Sequence, residues 1–200
     1  MTHDLQLRQR IAQASARLMI QEGINDYHLA KCKAAAQLGV LNKHHLPSNS
    51  EIEQEILLYQ RLFQPHTHSL HLNHLRYTAL QMMRLLKPFN PRLVGSVLEG
   101  TAHQNSEIML HLFTHSPEEV AFLLMEKQIP YQLSERRFRF PKPITYPCYQ
   151  FIAGEHSVAL VIFNIDDVRW SPPSPVDGKP MRRADLRMVE NLLKEYVPIS

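Results

Sequence analysis

The feature that most constrains the fold is a change of residue pattern near position 90. Before it, apolar residues recur at helical spacing, and Gly and Pro fall at segment boundaries. After it, the chain is a series of short apolar runs rich in Val, Ile, Phe and Tyr, which are typical of strands. The sequence therefore predicts an α+β protein. Residues 1–88 form an N-terminal helical region, and residues 89–200 form a domain that contains a mixed sheet with flanking helices.

Four helices are predicted in the first region from apolar spacing and from capping residues. Asp26 and either Ser48 or Ser50 are suitable N-caps, because their side chains accept hydrogen bonds from unpaired N–H groups of the first turn. Gly23 and Gly39 are typical of helix ends. The predicted helices span residues 4–21, 26–38, 48–63 and 65–87.

The second region is predicted to contain five strands and two helices. One helix begins at Ser116-Pro117, where a hydroxyl cap and a first-turn proline are followed by the acids Glu118 and Glu119. The other spans residues 183–196. The predicted strands span residues 92–98, 107–113, 131–140, 145–153 and 157–163.

Residues 94–113 contain the most informative functional motif. A strand enters a turn at Gly95-Ser96, the following loop contains Gly100-Thr101, and Ser106 precedes the next strand. Glycine lets a backbone approach an anion closely, and N–H groups and hydroxyls bind phosphate oxygens. We therefore expect these five residues to line a small pocket for a phosphorylated ligand. The alternative is an ordinary glycine-containing turn between two strands.

Residues 92–163 resemble the nucleotidyltransferase superfamily of kanamycin-type, small stand-alone and polymerase-beta-like enzymes. In that family a Gly-Ser turn precedes Asp-x-Asp or Asp-x-Glu on the next strand. Here Gly95-Ser96 precedes Glu107-Ile108-Met109 at a matching spacing. Nearly the whole chain also resembles small bacterial proteins identified as predicted nucleotidyltransferases, which share a Pro-rich segment like residues 176–183. The resemblance implies a nucleotidyltransferase-like fold and a nucleoside triphosphate as ligand.

The resemblance also implies where metal ions would bind. In active members three carboxylates hold two Mg²⁺ ions, which neutralise the triphosphate. The first position falls on Glu107, the second on Met109 and the third on Ala159. A thioether is a poor ligand for Mg²⁺, and a methyl group is none. We therefore expect a catalytically degenerate protein that binds a nucleotide or a macromolecular partner at the Gly-Ser loop.

An active enzyme is the first alternative. It would use Glu107 as its catalytic metal ligand and Mg²⁺ as its cofactor, with Glu99 or Glu155 as additional acids. His111, two residues beyond Met109, would ligate Zn²⁺ or Mn²⁺ more readily than Mg²⁺.

A nucleic-acid-binding or regulatory module is the second alternative. Residues 11–40 faintly resemble the start of tetracycline-repressor-type regulators, with Lys31 and Lys33 on the second helix. The histidines between His66 and His74 are interpreted as solvated residues near a helix start rather than as a metal cluster.

Two basic segments are candidate anion contacts. Arg137 and Arg139 lie in a predicted strand, where the alternative is a charged edge that prevents aggregation. Lys179 and Arg182 precede or open the predicted last helix, where positive charge opposes the helix dipole and so hints at an anionic partner.

The overall composition restricts function only loosely. A net charge of +3 is compatible with phosphorylated ligands but does not require nucleic acid. The sequence contains no apolar run long enough to span a membrane, and its first residues lack an apolar signal core, so we expect a cytoplasmic protein without a membrane partner. Cys32 and Cys148 match neither a disulfide framework nor a metal site.

Overall fold

The computed structural model describes residues 3–40, 42–138 and 143–194. Within them the chain forms seven α-helices and one five-stranded mixed sheet, so the predicted α+β class is confirmed. The helices are α1 (His3–Glu22), α2 (Tyr27–Gln37), α3 (Asn49–Phe63), α4 (Pro65–Leu85), α5 (Ser96–Glu99), α6 (Pro117–Glu126) and α7 (Leu186–Lys194). The strands are β1 (Arg92–Val94), β2 (Ile108–Thr114), β3 (Gln132–Phe138), β4 (Ile144–Ala153) and β5 (His156–Asn164). None of the described helices is long and apolar enough to cross a membrane.

The chain divides into two compact units. The first contains α1 to α3, the start of α4 through His71, and residues 100–106 and 175–178. The second contains the sheet, the rest of α4 from Leu72, and α5 to α7. The boundary predicted between residues 88 and 89 lies inside the second unit.

The helices of the first unit begin where capping side chains stand in the sequence. Asp26 accepts a hydrogen bond from the backbone N–H of Leu29 at 2.9 Å, which starts α2. Ser48 and Glu51 form a reciprocal capping box at the start of α3, in which each side chain accepts a hydrogen bond from the backbone N–H of the other residue. The helix starts predicted at Asp26 and Ser48 are therefore confirmed.

The core of the first unit lies where α1 meets α2 and α3. Small alanines on α1 and α2 allow the helices to approach closely, and two isoleucines of α3 fill the space beside them. Arg8 adds a bidentate contact, in which Nε and Nη2 each donate to a Glu51 oxygen at 2.7 Å. The buried residues are Ala12, Ala16, Met19, Ile20, Ala30, Ile52 and Ile56.

The sheet of the second unit has the strand order β1-β2-β5-β4-β3. β2 and β5 pair in parallel, and the other neighbours are antiparallel. The tight turn at Gly154 makes β4 and β5 a hairpin, so β5 lies between its hairpin partner β4 and β2. This insertion brings the central residues of β5 directly beside those of β2.

Successive side chains of a strand point to opposite faces of a sheet. One face of this sheet is apolar, and its central residues Leu110, Leu112 and Leu160 are completely buried. We call the opposite face the front face. Its residues include Arg92, Val94, Met109, His111, Phe113, Ala159, Val161, Phe163, Tyr146, Cys148, Gln150, Gln132, Ser134, Arg136 and Phe138.

Two predicted elements of the second unit differ from the structure. The strand expected over residues 92–98 ends at Val94, because Gly95 takes a positive φ of 73° and residues 96–99 form the single turn α5. The last helix begins at Leu186 instead of residue 183, because Ala184 is held in an extended bridge to Leu93 by two backbone hydrogen bonds of 2.9 Å. Its predicted end at residue 196 lies outside the described residues.

The capping box makes a testable contribution to stability. Replacing Ser48 by alanine removes the acceptor for the Glu51 N–H. We expect Ser48→Ala to lower the free energy of unfolding by about 1 kcal/mol, and Ser48→Gly by only a few tenths, because glycine leaves the helix end open to water. Urea denaturation measures both values, and an equal loss in the two variants would contradict the capping role.

Candidate anion-binding site

The Gly-Ser turn lies at the end of β1 in the second unit. Gly95 has a positive φ, which favours glycine, although a Cβ built there would meet no atom within 4 Å. Glycine is therefore favoured at position 95 by the backbone conformation, not by a lack of space for a side chain. Because β1 and β2 are antiparallel, Val94 lies opposite Met109, and the turn after Val94 is near the start of β2.

The three predicted carboxylate positions lie near one another. Met109 of β2 and Ala159 of β5 are direct partners in the sheet register, and Glu107 precedes β2 two residues before Met109. Glu107 accepts a hydrogen bond from Gln150 Nε2 at 3.0 Å, and Arg136 Nη1 lies 3.8 Å from its other oxygen. Its side chain is only one-fifth exposed by area (20%), so these two partners take up much of its surroundings.

This donor set does not fit a pair of Mg²⁺ ions. Mg²⁺ requires hard oxygen ligands, whereas Met109 offers a thioether and Ala159 a methyl group. Among the residues that the structure describes, no group of three or more His, Cys, Asp or Glu side chains is arranged to hold a metal ion. Glu107 is instead engaged by an amide and a guanidinium.

Arg183 is the most extensively bonded side chain at the front face. Its Nη1 donates to the backbone carbonyls of Asp167, Val168 and Trp170 at 3.4, 3.2 and 2.5 Å. Its guanidinium also lies 4.8 Å from the ring centre of Phe113. Burial, followed by repulsion from a nearby arginine, lowers the pKa of Arg183 to about 10, so the group still carries its charge at neutral pH.

The contact between Arg183 and His111 defines the state of the imidazole. Arg183 Nε donates to His111 Nδ1 at 3.1 Å. A guanidinium has no acceptor, so Nδ1 must be unprotonated and the neutral ring carries its proton on Nε2. Burial, then Arg183 and Arg136, hold the pKa of His111 well below its usual value of 6.5. The same contact occupies the nitrogen that a Zn²⁺ or Mn²⁺ ion would need if it were bound through Nδ1.

Two buried donors of this pair have no hydrogen-bond partner within the described chain, His111 Nε2 and Arg183 Nη2. Arg92 lies opposite His111 in the register of β1 and β2, and it is the arginine that lowers the pKa of Arg183. The front face thus combines three arginines and a neutral histidine with a buried apolar cluster, which consists of Phe113, Cys148, Ala159, Val161 and Phe163. Such an arrangement attracts anions and repels metal cations.

The anion contacts predicted from the sequence lie elsewhere. Arg137 follows Arg136 on β3, so it points to the opposite face of the sheet, where it is exposed. Arg182 pairs with Glu99 at 2.9 Å, and Lys179 is exposed. Arg139 lies outside the described residues. A role for these residues in anion binding stays a prediction, and the arginines that lie at the front face are Arg92, Arg136 and Arg183.

The remaining predicted pocket residues belong to the first unit. Gly100, Thr101 and Ser106 lie in residues 100–106, and the last two are almost fully buried. Gln60 Nε2 donates to the carbonyls of Thr101 and Ala102 at 3.4 and 3.0 Å. The Ser106 hydroxyl accepts from the backbone N–H of His103 at 2.8 Å. These polar groups are used within the loop, and a role for them in ligand binding stays a prediction.

Side chains of α4 hold the same loop. The Nε2 atoms of His68 and His71 lie 3.1 and 3.2 Å from the carbonyl oxygens of Ala102 and His103. Both histidines are half-buried, so the interpretation as solvated residues is wrong for these two, whereas His66 and His74 are exposed as it predicted. Their imidazoles contact the backbone of the loop. The partners are more than 30 positions apart in the chain, so local sequence could not predict these contacts.

The basic residues of α2 have partners inside the first unit. Lys31 Nζ donates to the carbonyl of Pro47 at 2.6 Å and to Asn49 Oδ1 at 2.7 Å. Lys33 forms an ion pair with Glu22. The charge of Lys33 is thus paired, whereas Lys31 donates to neutral oxygens, and a nucleic-acid-binding role for this helix stays a prediction.

Comparison with known proteins gives no family for the chain. A scan against models of protein families finds no match. A search of curated proteins finds no match either. Neither result adds support to the resemblance of residues 92–163 to nucleotidyltransferases.

The lowered pKa of His111 predicts a pH-dependent stability. As the pH falls below about 6.5, the unfolded chain protonates this histidine while the folded chain keeps it neutral. Because the unfolded state then binds more protons, the free energy of unfolding decreases with falling pH. We expect His111→Asn, whose amide oxygen can still accept from Arg183, to lose stability less steeply on acidification.

Urea denaturation between about pH 7.5 and about pH 5.5 measures this effect, since an ordinary histidine titrates in that range. His103, whose pKa is lowered by burial and by His71, contributes in the same direction, so some pH dependence persists in the variant. The exposed His115 provides a control, and His115→Asn should keep the wild-type slope. Equal slopes for His111→Asn and the wild type would contradict the assignment.

Proposed function

We propose that this protein binds a nucleotide at the front face of its second unit without transferring a nucleotidyl group. The observation that carries the proposal is the state of Glu107. The one carboxylate at the three expected metal positions is bonded to Gln150 and lies beside Arg136. Its two oxygens therefore face an amide N–H donor and a guanidinium.

The backbone layout supports a nucleotide as the ligand. A short strand, a glycine turn, one helical turn and an antiparallel strand follow one another at residues 92–114, and β5 pairs in parallel beside β2. This arrangement agrees with the resemblance to nucleotidyltransferases, in which the corresponding strands surround the triphosphate. Met109 and Ala159 are cross-strand neighbours, as two positions of one metal site would be.

The charge of the front face supports binding rather than transfer. Transfer in active members depends on metal ions that stabilise the charge developing on the phosphates. Arg92, Arg136 and Arg183 can bind phosphate oxygens without metal, but the side chains at positions 109 and 159 offer no metal ligand of the kind that such transfer needs.

The first test is thermal unfolding with each nucleoside triphosphate, together with an assay for pyrophosphate release in the presence of Mg²⁺. A ligand at about a hundred times its Kd adds about 2.7 kcal/mol. For a chain of this size we expect a rise of several degrees in Tm with at least one nucleotide and no pyrophosphate release. Absence of any rise in Tm would contradict the proposal.

The variant Glu107→Gln separates the proposed function from an active enzyme. If Glu107 is a metal ligand, the substitution should abolish any turnover and weaken nucleotide binding. If Glu107 is a neutralised partner of Arg136, the substitution removes a negative charge near the phosphates. Nucleotide affinity should then stay equal or increase. Pyrophosphate release by the wild type that is lost in Glu107→Gln would overturn the proposal.

A further inference from the structure

We propose that the front face binds phosphate groups directly through its arginines, and that the guanidinium of Arg136 takes the place of a divalent metal ion beside Glu107. That the phosphates belong to a nucleotide rests on the proposed function. The presence of a metal-independent phosphate site rests on the positions of the charged groups and is separately testable.

The path of the Arg136 side chain is the first support. Arg136 stands on β3, and β4 and β5 separate this strand from β2. Neighbouring strands are spaced about 4.8 Å apart, so three intervals amount to about 14 Å. Arg136 Nη1 nevertheless lies 3.8 Å from Glu107, which precedes β2. Because an arginine side chain is shorter than this, the sheet must curl so that β3 approaches the start of β2, which places the guanidinium of Arg136 beside the first carboxylate position.

Uncharged side chains occupy the front face of β4 and β5, the two strands that separate Arg136 from β2. Gln150 and Ala159 are partners on β4 and β5, and Cys148 precedes Gln150 on the same face of β4. None of the three is charged near neutral pH, since burial raises the pKa of the Cys148 thiol. A carboxylate at position 159 would have competed with Glu107 for the guanidinium. Its absence leaves Arg136 as a cation shared with a single acid.

The positive charge of this face is only partly balanced. Arg183 makes its hydrogen bonds to neutral carbonyls and to the neutral imidazole of His111. Arg92 repels Arg183, and Asp167 attracts it, as the directions of their effects on the pKa of Arg183 indicate. Two arginines near one another with one flanking acid favour the binding of an additional anion.

The unpartnered donors indicate what kind of anion fits. Arg183 Nη2 belongs to the same guanidinium that holds His111 through Nε, and His111 Nε2 carries the proton of the neutral ring. Both atoms are N–H donors, and an oxygen atom is a suitable acceptor for each. A phosphate or pyrophosphate group has negative charge and several oxygens that accept hydrogen bonds. A bound water molecule can also bridge such an oxygen and a buried donor.

Isothermal titration calorimetry of the full chain with inorganic pyrophosphate in EDTA provides the test. Arg136 and Arg137 are adjacent on β3 but point to opposite faces, so they form a matched pair with equal changes in net charge. We expect Arg136→Gln to weaken pyrophosphate binding about tenfold or more, as loss of a charged hydrogen bond does. Arg137→Gln should change the affinity by less than about twofold, because it alters only the long-range field. Circular dichroism and unfolding without ligand verify that each variant folds.

The outcomes separate this inference from the proposed function. Equal weakening in both variants would mean general charge attraction and would overturn the inference. Pyrophosphate binding that appears only with Mg²⁺ would also overturn it, while nucleotide binding could still hold. Metal-free pyrophosphate binding without binding of any nucleoside triphosphate would support the inference and overturn the proposed function. Binding of neither ligand would overturn both.

Discussion

The front face depends on the contacts of one half-buried guanidinium, that of Arg183. Removing a charged group from water is costly unless its donors find acceptors. Arg183 finds them in three carbonyls of residues 167–170 and in His111, and its flat group also packs over Phe113. These contacts connect the segment after β5, the middle of β2 and the extended segment before α7. The bridge between Ala184 and Leu93 then fixes that last segment along β1. One side chain therefore links three segments that are distant in the sequence.

The charges at the front face determine which kind of ion it attracts. A site lined by carboxylates concentrates divalent cations, whereas a site lined by guanidinium groups concentrates anions. At the front face, Met109 and Ala159 supply no charge, Glu107 is held by Gln150 and Arg136, and Arg183 keeps its charge while buried. The neutral His111 accepts from Arg183 and so adds no further positive charge, which limits repulsion within the cluster. These contacts are the basis of our proposal that the front face binds an anion without catalysing its reaction.

Local sequence was sufficient to predict the elements whose boundaries depend on nearby residues. Asp26 and Ser48 cap helices through atoms three residues away, so the starts of α2 and α3 could be predicted. The site could be predicted only in part, because its contacts join residues far apart in the chain. Arg183 and His111 are separated by 72 positions. The sequence suggested a helical location for Arg183, and its bridging neighbour Ala184 excludes one. Likewise, Arg136 could be told apart from Arg137 only once the strand register was known.

The most direct measurement of the central claim is nitrogen NMR of the His111 imidazole in the isotope-labelled protein. Nitrogen shifts report which ring atom carries the proton and whether a second proton binds. We expect a neutral ring protonated at Nε2 that stays neutral as the pH falls through 6.5, and a change in the Nε2 resonance when pyrophosphate is added in EDTA. A ring protonated at Nδ1, or one that titrates near 6.5 and does not respond to pyrophosphate, would contradict it.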